Sequence, residues 1–473
     1  MAKKVYLTTA IPYVNAAPHI GFALEAVMSD CYVRYQRLLG NDVYFSSGAD
    51  ENSLKNVQAA EAEGISTKEL VDRNAKLFED LKPALNLTWD VFNRTSDARH
   101  IKGAQKLWSL CKKEDIYKKN YKGLYCVGCE AFYTPLEIKD GKCPDGHTNI
   151  DKVEEENYFF KLSNYQEFLR ELIKKDSLKI IPQTRKKEVL AFIEGGLEDF
   201  SISRSVERAR GWGVPVPGDD SQVMYVWFDA LVTYLTALGF AREEKLFGKF
   251  WTTNPNRIHV IGKGIIRFHA VYWIAMLASA GVPLPTLEFV HGYITIEGQK
   301  ISKTLGNVID PFEMVKKYGS EVIRYYLLRE IPSWGDGDFS EKRLVEIYNG
   351  ELANGLGNLV ARVARLCQEV SLKLPKKGKY VFLKEVSANL DKFRFDHAAF
   401  AIWEEVSRLD KLINDEKPWE KDGKALKSVI TPIASAIREI AYNLSPFMPE
   451  TSERIMQQFN GEIKSEKPLF PRL

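Results

Sequence analysis

The first 113 residues alternate between strand-like and helix-like segments, and that alternation constrains the fold more than any composition figure. Val5 to Ile11 reads as a strand, broken by a Pro- and Ala-rich loop and then by Pro18-His19-Ile20-Gly21. A helix-like run from Phe22 to Leu39 follows and stops at Gly40; Asp42–Ser46 reads as the next strand and Thr67–Leu81 as the next helix. Strands separated by helices of this length predict a parallel sheet with crossover helices. The pattern lapses over residues 114–222, where the chain turns Lys-, Gly- and Cys-rich with short strands such as Asn157–Leu162, and this stretch reads as an insertion. It resumes with Met224–Phe228, the helix Ala230–Leu238, the strand Arg257–Ile261 and the helix Phe268–Ala280; Glu288–Ile296 then leads to Lys300-Ile301-Ser302-Lys303-Thr304. Beyond Glu351 the apolar spacing is helical in 351–370, 396–413, 424–445 and 449–459, which predicts a helix bundle.

A chain of 473 residues is too long for one core, and roughly two to four domains are expected. The segments predicted are 1–113 and 223–297 as two halves of one α/β domain, 114–222 as the insertion, 298–350 with the lysine loop, and 351–473 as the bundle. A net charge of +3 leaves any nucleic-acid contact to local basic patches rather than a global field. Thr8, Thr9, Pro12 and Tyr13 interrupt the first apolar run, which argues against a secretory leader. The longest apolar stretch, Ala270 to Gly281, falls short of the ~18 residues that span a bilayer. A cytoplasmic protein without a membrane partner is expected.

Two segments carry complementary chemistry. In an open α/β sheet, ligands bind at the carboxyl ends of the strands, where the N–H groups of the following helix point outward. Pro18-His19-Ile20-Gly21 lies at such a turn: Gly21 allows close approach of a base or phosphate, and His19 offers a ring N–H. Alone, the tetrapeptide reads equally as a loop histidine before a helix. Lys300 and Lys303, flanked by Gly298 and Gly306, place two ammonium groups on a flexible loop, suited to charge growing on a leaving pyrophosphate. Alone, that loop reads as a solvated basic surface. Together the two suggest a nucleotide cradle with a mobile triphosphate-binding loop.

Cys126, Cys129, Cys143 and His147 offer three thiolates and an imidazole, a ligand set suited to tetrahedral Zn²⁺ with no position open for substrate. The predicted fold is therefore α/β: a Rossmann-type parallel sheet split by a zinc-knuckle insertion and followed by an all-α helix bundle. Asn354, Asn358 and Arg362 recur at i, i+4 and i+8 on one helical face, and Trp419 follows Lys417-Pro418. Amides, a guanidinium and an aromatic surface are what recognition of splayed RNA bases requires. Polar packing between helices is the other reading of the same stripe.

Further runs match a known pattern: Thr8-Thr9-Ala10-Ile11-Pro12-Tyr13, Phe92-Asn93-Arg94-Thr95, Asp199-Phe200-Ser201-Ile202-Ser203-Arg204, Trp212-Gly213-Val214-Pro215 and Tyr225-Val226-Trp227-Phe228-Asp229-Ala230-Leu231. With these the chain resembles the class I aminoacyl-tRNA synthetases and, in its details, the methionyl-tRNA synthetase family. The resemblance implies a methionine–tRNA ligase using ATP with Mg²⁺, a structural Zn²⁺, and initiator and elongator methionine tRNAs as partners. It implies a methionine pocket of Ala10, Ile11, Tyr13, Asp50, Trp227, Ala230, Leu231, Tyr234, Ile265 and His269. The chemistry is apt: methionine offers only shape, apolar surface and a polarizable sulfur to aromatic rings, and Asp50 would meet its α-ammonium. ATP is expected on His19, Gly21, Phe22, Gly262, Gly264, Lys300 and Lys303, with His19, Lys300 and Lys303 serving the chemistry. Asn354, Asn358, Arg362 and Trp419 become the anticodon readers.

The sequence departs from the family at Phe22 and Asn52, each where a histidine is usual, and at Gly264, where an aspartate is common. One residue more than usual separates Cys143 from His147. These departures keep open an alternative, a catalytically weakened synthetase-like tRNA-binding protein. Residues 114–222 are too few for the editing insertion of the valine, isoleucine and leucine enzymes. A monomer is expected, from the chain ending just after its helix bundle.

Overall fold

The computed structural model describes residues 2–473 except 127, 129, 130, 134, 145, 302–305, 376 and 377, and gives the backbone alone for 131, 132 and 244. The chain forms two compact units, one of residues 1–18, 40–82 and 88–290, the other of 19–39, 83–87 and 291–473.

The first unit is built on β1 (Lys4–Thr9), β2 (Asp42–Ala49), β3 (Val91–Arg94), β4 (Lys179–Ile181), β5 (Arg257–Gly262) and β6 (Leu287–His291), of which the last residue, His291, belongs to the second unit. Their spatial order is β3-β2-β1-β5-β6-β4. The β1–β2, β1–β5, β2–β3 and β4–β6 pairings are all parallel. Val5, Tyr6, Leu7, Thr8 and Thr9 are all buried, so β1 is covered on both faces, which is why it reads as a continuous β-rich run rather than an alternating one. The order reverses between β1 and β5, the switch point at which such sheets open a crevice for ligands. The 114–222 stretch is largely antiparallel: Ile116–Cys126 pairs with Ile150–Phe160 from Ile116↔Phe160 to Cys126↔Ile150. It also supplies β4, which joins the parallel sheet beside β6. Met224–Phe228 is divided between the end of an antiparallel strand, Asp219–Met224, and the start of α2 at Val226; the corresponding range of α2 is Val226–Thr236.

The second unit contains α1 (Ile20–Leu38), a hairpin of β7 (Ile294–Ile296) and β8 (Gln299–Lys300), and the C-terminal helices. β7 pairs with β8 and with Gly337–Phe339. Asp338 fixes the hairpin turn, accepting from Gly298 N–H at 2.8 Å and from the Thr295 hydroxyl at 2.6 Å. Nearly every face of α1 is buried. Asp30 there lies 2.8 Å from Arg324, both side chains fully buried, and Arg324 also donates to the carbonyls of Leu85, Pro446 and Phe447. Arg34, one turn along the same helix, also pairs with Asp30, at 2.7 Å. Helices Phe395–Glu416, Gly423–Leu444 and Pro449–Gln458 follow the predicted bundle closely. Among the described residues no helix is long and apolar enough to cross a membrane.

Candidate active site

The crevice at the β1/β5 switch point gathers most of the expected methionine-pocket residues. Ala10, just past β1, still donates its N–H to Val260 of β5 at 3.0 Å. Tyr13 bridges to Asp50, and Asp50 donates its N–H to the Pro12 carbonyl at 2.8 Å. The Asp50 side chain, just beyond β2, is buried at 2% exposure. Gly48 is required here, since a Cβ would lie 2.3 Å from the Asn93 carbonyl oxygen and 3.1 Å from Ile11. β5 ends at Gly262, and Gly264 stands exposed in the short turn that follows.

α2 provides one wall through Trp227, Ala230, Leu231 and Tyr234, the last three buried. Trp227 stacks on Phe268 with centroids 3.8 Å apart and planes 4° from parallel, and Tyr13 approaches Trp227 edge-on at 6.4 Å. Trp227 Nε1 is buried and has no hydrogen-bond partner among the described residues. His269 is locked: Nδ1 lies 2.9 Å from the Ile265 carbonyl and Nε2 2.7 Å from the Tyr234 hydroxyl. A carbonyl only accepts, so the proton sits on Nδ1 and Nε2 accepts from Tyr234. Burial pushes the His269 pKa down to about 4, so the ring is neutral near pH 7. Both ring nitrogens of His269 are thus engaged.

Contacts that the sequence did not reveal surround these residues. Phe268 supplies the stacking ring. Asn52 donates to the fully buried Asp229 of α2 at 2.6 Å and to the Thr95 carbonyl at 3.1 Å. Arg94 reaches the fully buried Glu51 at 2.5 Å, while Trp212 donates to the Glu51 carbonyl at 2.7 Å. Phe268 adjoins His269 in sequence and was legible to that extent; the Asn52–Asp229 pair joins residues 177 apart and left no local signal.

In the second unit His19 is the N-cap of α1, its Nδ1 accepting from Gly21 N–H at 3.0 Å. That bond places the proton of the neutral ring on Nε2, a donor. A Cβ at Gly21 would lie 2.9 Å from the His19 ring and 3.2 Å from Ile294. Gly21 thus makes room for the folded-back His19 ring. Phe22 is half-buried in the first turn of α1. Lys300 is exposed on β8, and its carbonyl accepts from Asn307 at 3.0 Å. Lys303 lies outside the described residues.

The 116–126/150–160 hairpin carries the metal-type cluster at its tip. Ligand atoms of Cys126, Cys143 and His147 lie within 4.8 Å of one another, and Cys143 Sγ is 3.5 Å from His147 Nδ1. Soft sulfur and imidazole donors converging this closely fit Zn²⁺. The additional residue before His147 is accommodated by a turn in which Gly146, at φ +83°, donates to the Cys143 carbonyl. Cys129 lies outside the described residues.

Asn354 and Asn358 are exposed on consecutive π- and α-helical stretches, Tyr348–Gly357 and Asn358–Glu369. Arg362 lies over the Trp419 ring at 5.6 Å and donates to Asp410 at 3.0 Å and to Asn414 at 2.9 Å. Trp419 is 51% exposed. Arg472, absent from the expected set, donates twice to the Asn354 side-chain oxygen, at 3.0 and 2.7 Å.

Comparison with known proteins adds independent observations. The family model described as class I tRNA synthetases (M) matches residues 5–153 and 146–364. The methionine–tRNA ligase of Thermotoga maritima is 41% identical, over 98% of this chain and 76% of its own. That of Brucella suis is 40% identical, over 99% of this chain and 98% of its own. Among solved structures, Mycobacterium tuberculosis methionyl-tRNA synthetase in complex with methionyl-adenylate matches with a TM-score of 0.91 at 36% identity, covering 99% of this chain and 100% of its own.

Proposed function

The chain belongs to the methionine–tRNA ligases of the class I tRNA synthetase family, and on that premise we propose that it activates methionine with ATP and transfers it to the 3′ end of methionine tRNA. One observation carries the reading: a buried carboxylate, Asp50, stands at the sheet's switch point, in the same unit as the Trp227–Phe268 stack and the neutral His269. Asp50 receives the substrate α-ammonium, and the apolar and aromatic wall takes the thioether side chain.

The methionine carboxylate attacks the ATP α-phosphorus, and the bond to pyrophosphate breaks. ATP is held by His19, Gly21, Phe22, Gly262, Gly264, Lys300 and Lys303. The His19 Nε2–H and the two lysine ammonium groups act where charge develops, which is transition-state stabilisation rather than ground-state binding. Mg²⁺ bound with ATP would supply further neutralisation of phosphate charge beside Lys300 and Lys303. A hydroxyl of the terminal tRNA adenosine then attacks the adenylate carbonyl and AMP leaves. Little covalent work falls to the protein; positioning dominates.

Cys126, Cys129, Cys143 and His147 would hold one structural Zn²⁺, which would tie the hairpin tip together. Asn354, Asn358, Arg362 and Trp419 read the anticodon, Trp419 by stacking. The protein works as a cytoplasmic monomer. Methionine-dependent ATP–pyrophosphate exchange tests the central claim: exchange with methionine is expected, and none with valine, isoleucine or leucine. Intact tRNA binding without exchange would favour the weakened, tRNA-binding alternative. Elemental analysis of protein purified without chelator should give about one zinc per chain, and absence of a transition metal would remove the zinc assignment.

A further inference from the structure

Glu25 lies four residues beyond Gly21 on α1, hence about one turn further along the same face. Opposite it, His291 closes β6. His291 Nε2 is 2.8 Å from Glu25 Oε2, and Nδ1 is 2.8 Å from the Gly292 carbonyl oxygen. The two side chains are 9% and 8% exposed. Since a carbonyl only accepts, Nδ1 carries a hydrogen, and a second proton lies between Nε2 and the carboxyl group whichever of them holds it. Removing either partner takes away the buried hydrogen bond that joins α1 to the end of β6.

The segment after His291 leads straight to the lysine loop and meets the start of α1 at Ile294. Gly292 passes so close to a neighbouring backbone that a Cβ would lie 2.0 Å from the Gly335 carbonyl oxygen. Ile294, the first residue of β7, packs 3.2 Å from where a Cβ on Gly21 would stand. β8 then sets Lys300 opposite Thr295. Beyond the loop, the Ile309 carbonyl accepts the Ile20 N–H at 3.0 Å. Both ends of the loop are therefore tied to the first turns of α1, where His19 sits. Of these ties, Ile294 is apolar and Ile309 is a single backbone bond. Of the three, the His291–Glu25 pair is the side-chain hydrogen bond, and a one-residue slip would break it.

We propose that Glu25 and His291 are positioning residues for the lysine loop, fixing the strand that delivers Lys300 and Lys303 to the helix that begins at His19. The proposal rests on the ligase reading above, in which those lysines act on the ATP phosphates. Its test uses the full chain with Glu25→Ala, His291→Ala, their double variant and Glu25→Gln. Pyrophosphate exchange gives kcat, and tryptophan fluorescence gives the methionine Kd. Misplacing catalytic groups by about 1 Å costs up to roughly 10²-fold, so kcat should fall on the order of 10- to 100-fold in each alanine variant. Methionine Kd should stay within about twofold, because its pocket residues are held by other elements. The double variant should be no slower than the worse single one, as for two halves of one interaction. Glu25→Gln keeps a side chain able to bond the ring and should retain kcat to within about fivefold. If alanine prevents folding, Glu25→Asp carries the test, since it withdraws the carboxylate by one methylene; kcat should again fall with Kd held. Unchanged kcat, a matching loss of methionine binding, or additive losses in the double variant would overturn the proposal. A wild-type protein without exchange would instead overturn the ligase reading.

Discussion

Asn52→Ala should loosen the methionine pocket without touching the substrate. Asn52 donates to Asp229 Oδ2 at 2.6 Å. The other oxygen of that fully buried carboxyl group, Oδ1, has no hydrogen-bond partner among the described residues, and His100 Nε2 stands 3.8 Å from Oδ2, outside bonding distance. Alanine thus removes the one close donor to the group, and a second bond to the Thr95 carbonyl at 3.1 Å goes with it. A hydrogen bond to a charged group is worth about 1.5–3 kcal/mol and a neutral one about 1. Allowing for His100 to move inward, the net loss should be about 2–3 kcal/mol. Urea unfolding followed by tryptophan fluorescence reads that loss as a lower midpoint at unchanged slope. Because Asp229 shares α2 with Trp227, Ala230 and Leu231, methionine Kd should rise on the order of tenfold, equivalent to about 1.4 kcal/mol. Asn52→Asp alone should be worse, setting two carboxyl groups together. Combining it with Asp229→Asn restores a donor–acceptor pair and should recover most of both losses. A double variant no better than the singles would refute the argument.

Lys303→Ala should slow adenylate formation by two or more decades while methionine binding stays intact, since its charge matters most as pyrophosphate departs; equal exchange rates would remove the loop from the mechanism. Trp419→Ala should lower aminoacylation about 10- to 100-fold through lost base stacking, with tRNA-independent exchange unchanged; equal damage to both assays would make Trp419 a structural residue. Stability should also fall on acidification. The unfolded His269 ring takes up a proton near pH 6.5, whereas burial holds the folded ring at about 4. The unfolded state therefore binds more protons in that window, and His269 costs up to about 3 kcal/mol as pH drops from 6.5 to 4. Buried His259, also pushed well below its ordinary value, acts in the same direction. Urea midpoints between about pH 7 and pH 4.5 should show this slope, and His269→Gln should flatten it.

Much of the α/β frame was legible because its signals are local. β1 and α1 follow from a β-rich run, a capping turn and a stop at Gly40, whose φ is +79°. The bundle helices follow from apolar periodicity. The sequence misled where tertiary contacts override propensity: Val226-Trp227-Phe228 is rich in strand-forming residues yet opens α2, with Val226 and Phe228 buried. β4, three residues long, is too short for any period to register. In the candidate site, residue types were legible and partnerships were not. Asp50 and Trp227 stood out, whereas Asp229 depends on Asn52 and Glu25 on His291, pairs separated by 177 and 266 residues. Gly21 was legible as a special position, but the close approach of the His19 ring and Ile294 to it was not.

The pairing of β4 with β6 bears on how the chain can be shortened. Leu287, Glu288 and Phe289 stand in register with Lys179, Ile180 and Ile181, so residues from the 114–222 stretch seal a margin of the central sheet. Excising that stretch, or grafting a relative's in its place without an equivalent strand, would bare a row of backbone donors and acceptors beside apolar Phe289 and Val290. Such margins recruit strands from other molecules, so a minimal catalytic fragment built this way should precipitate or associate through β6 unless 179–181 is kept or a lysine or proline is placed there.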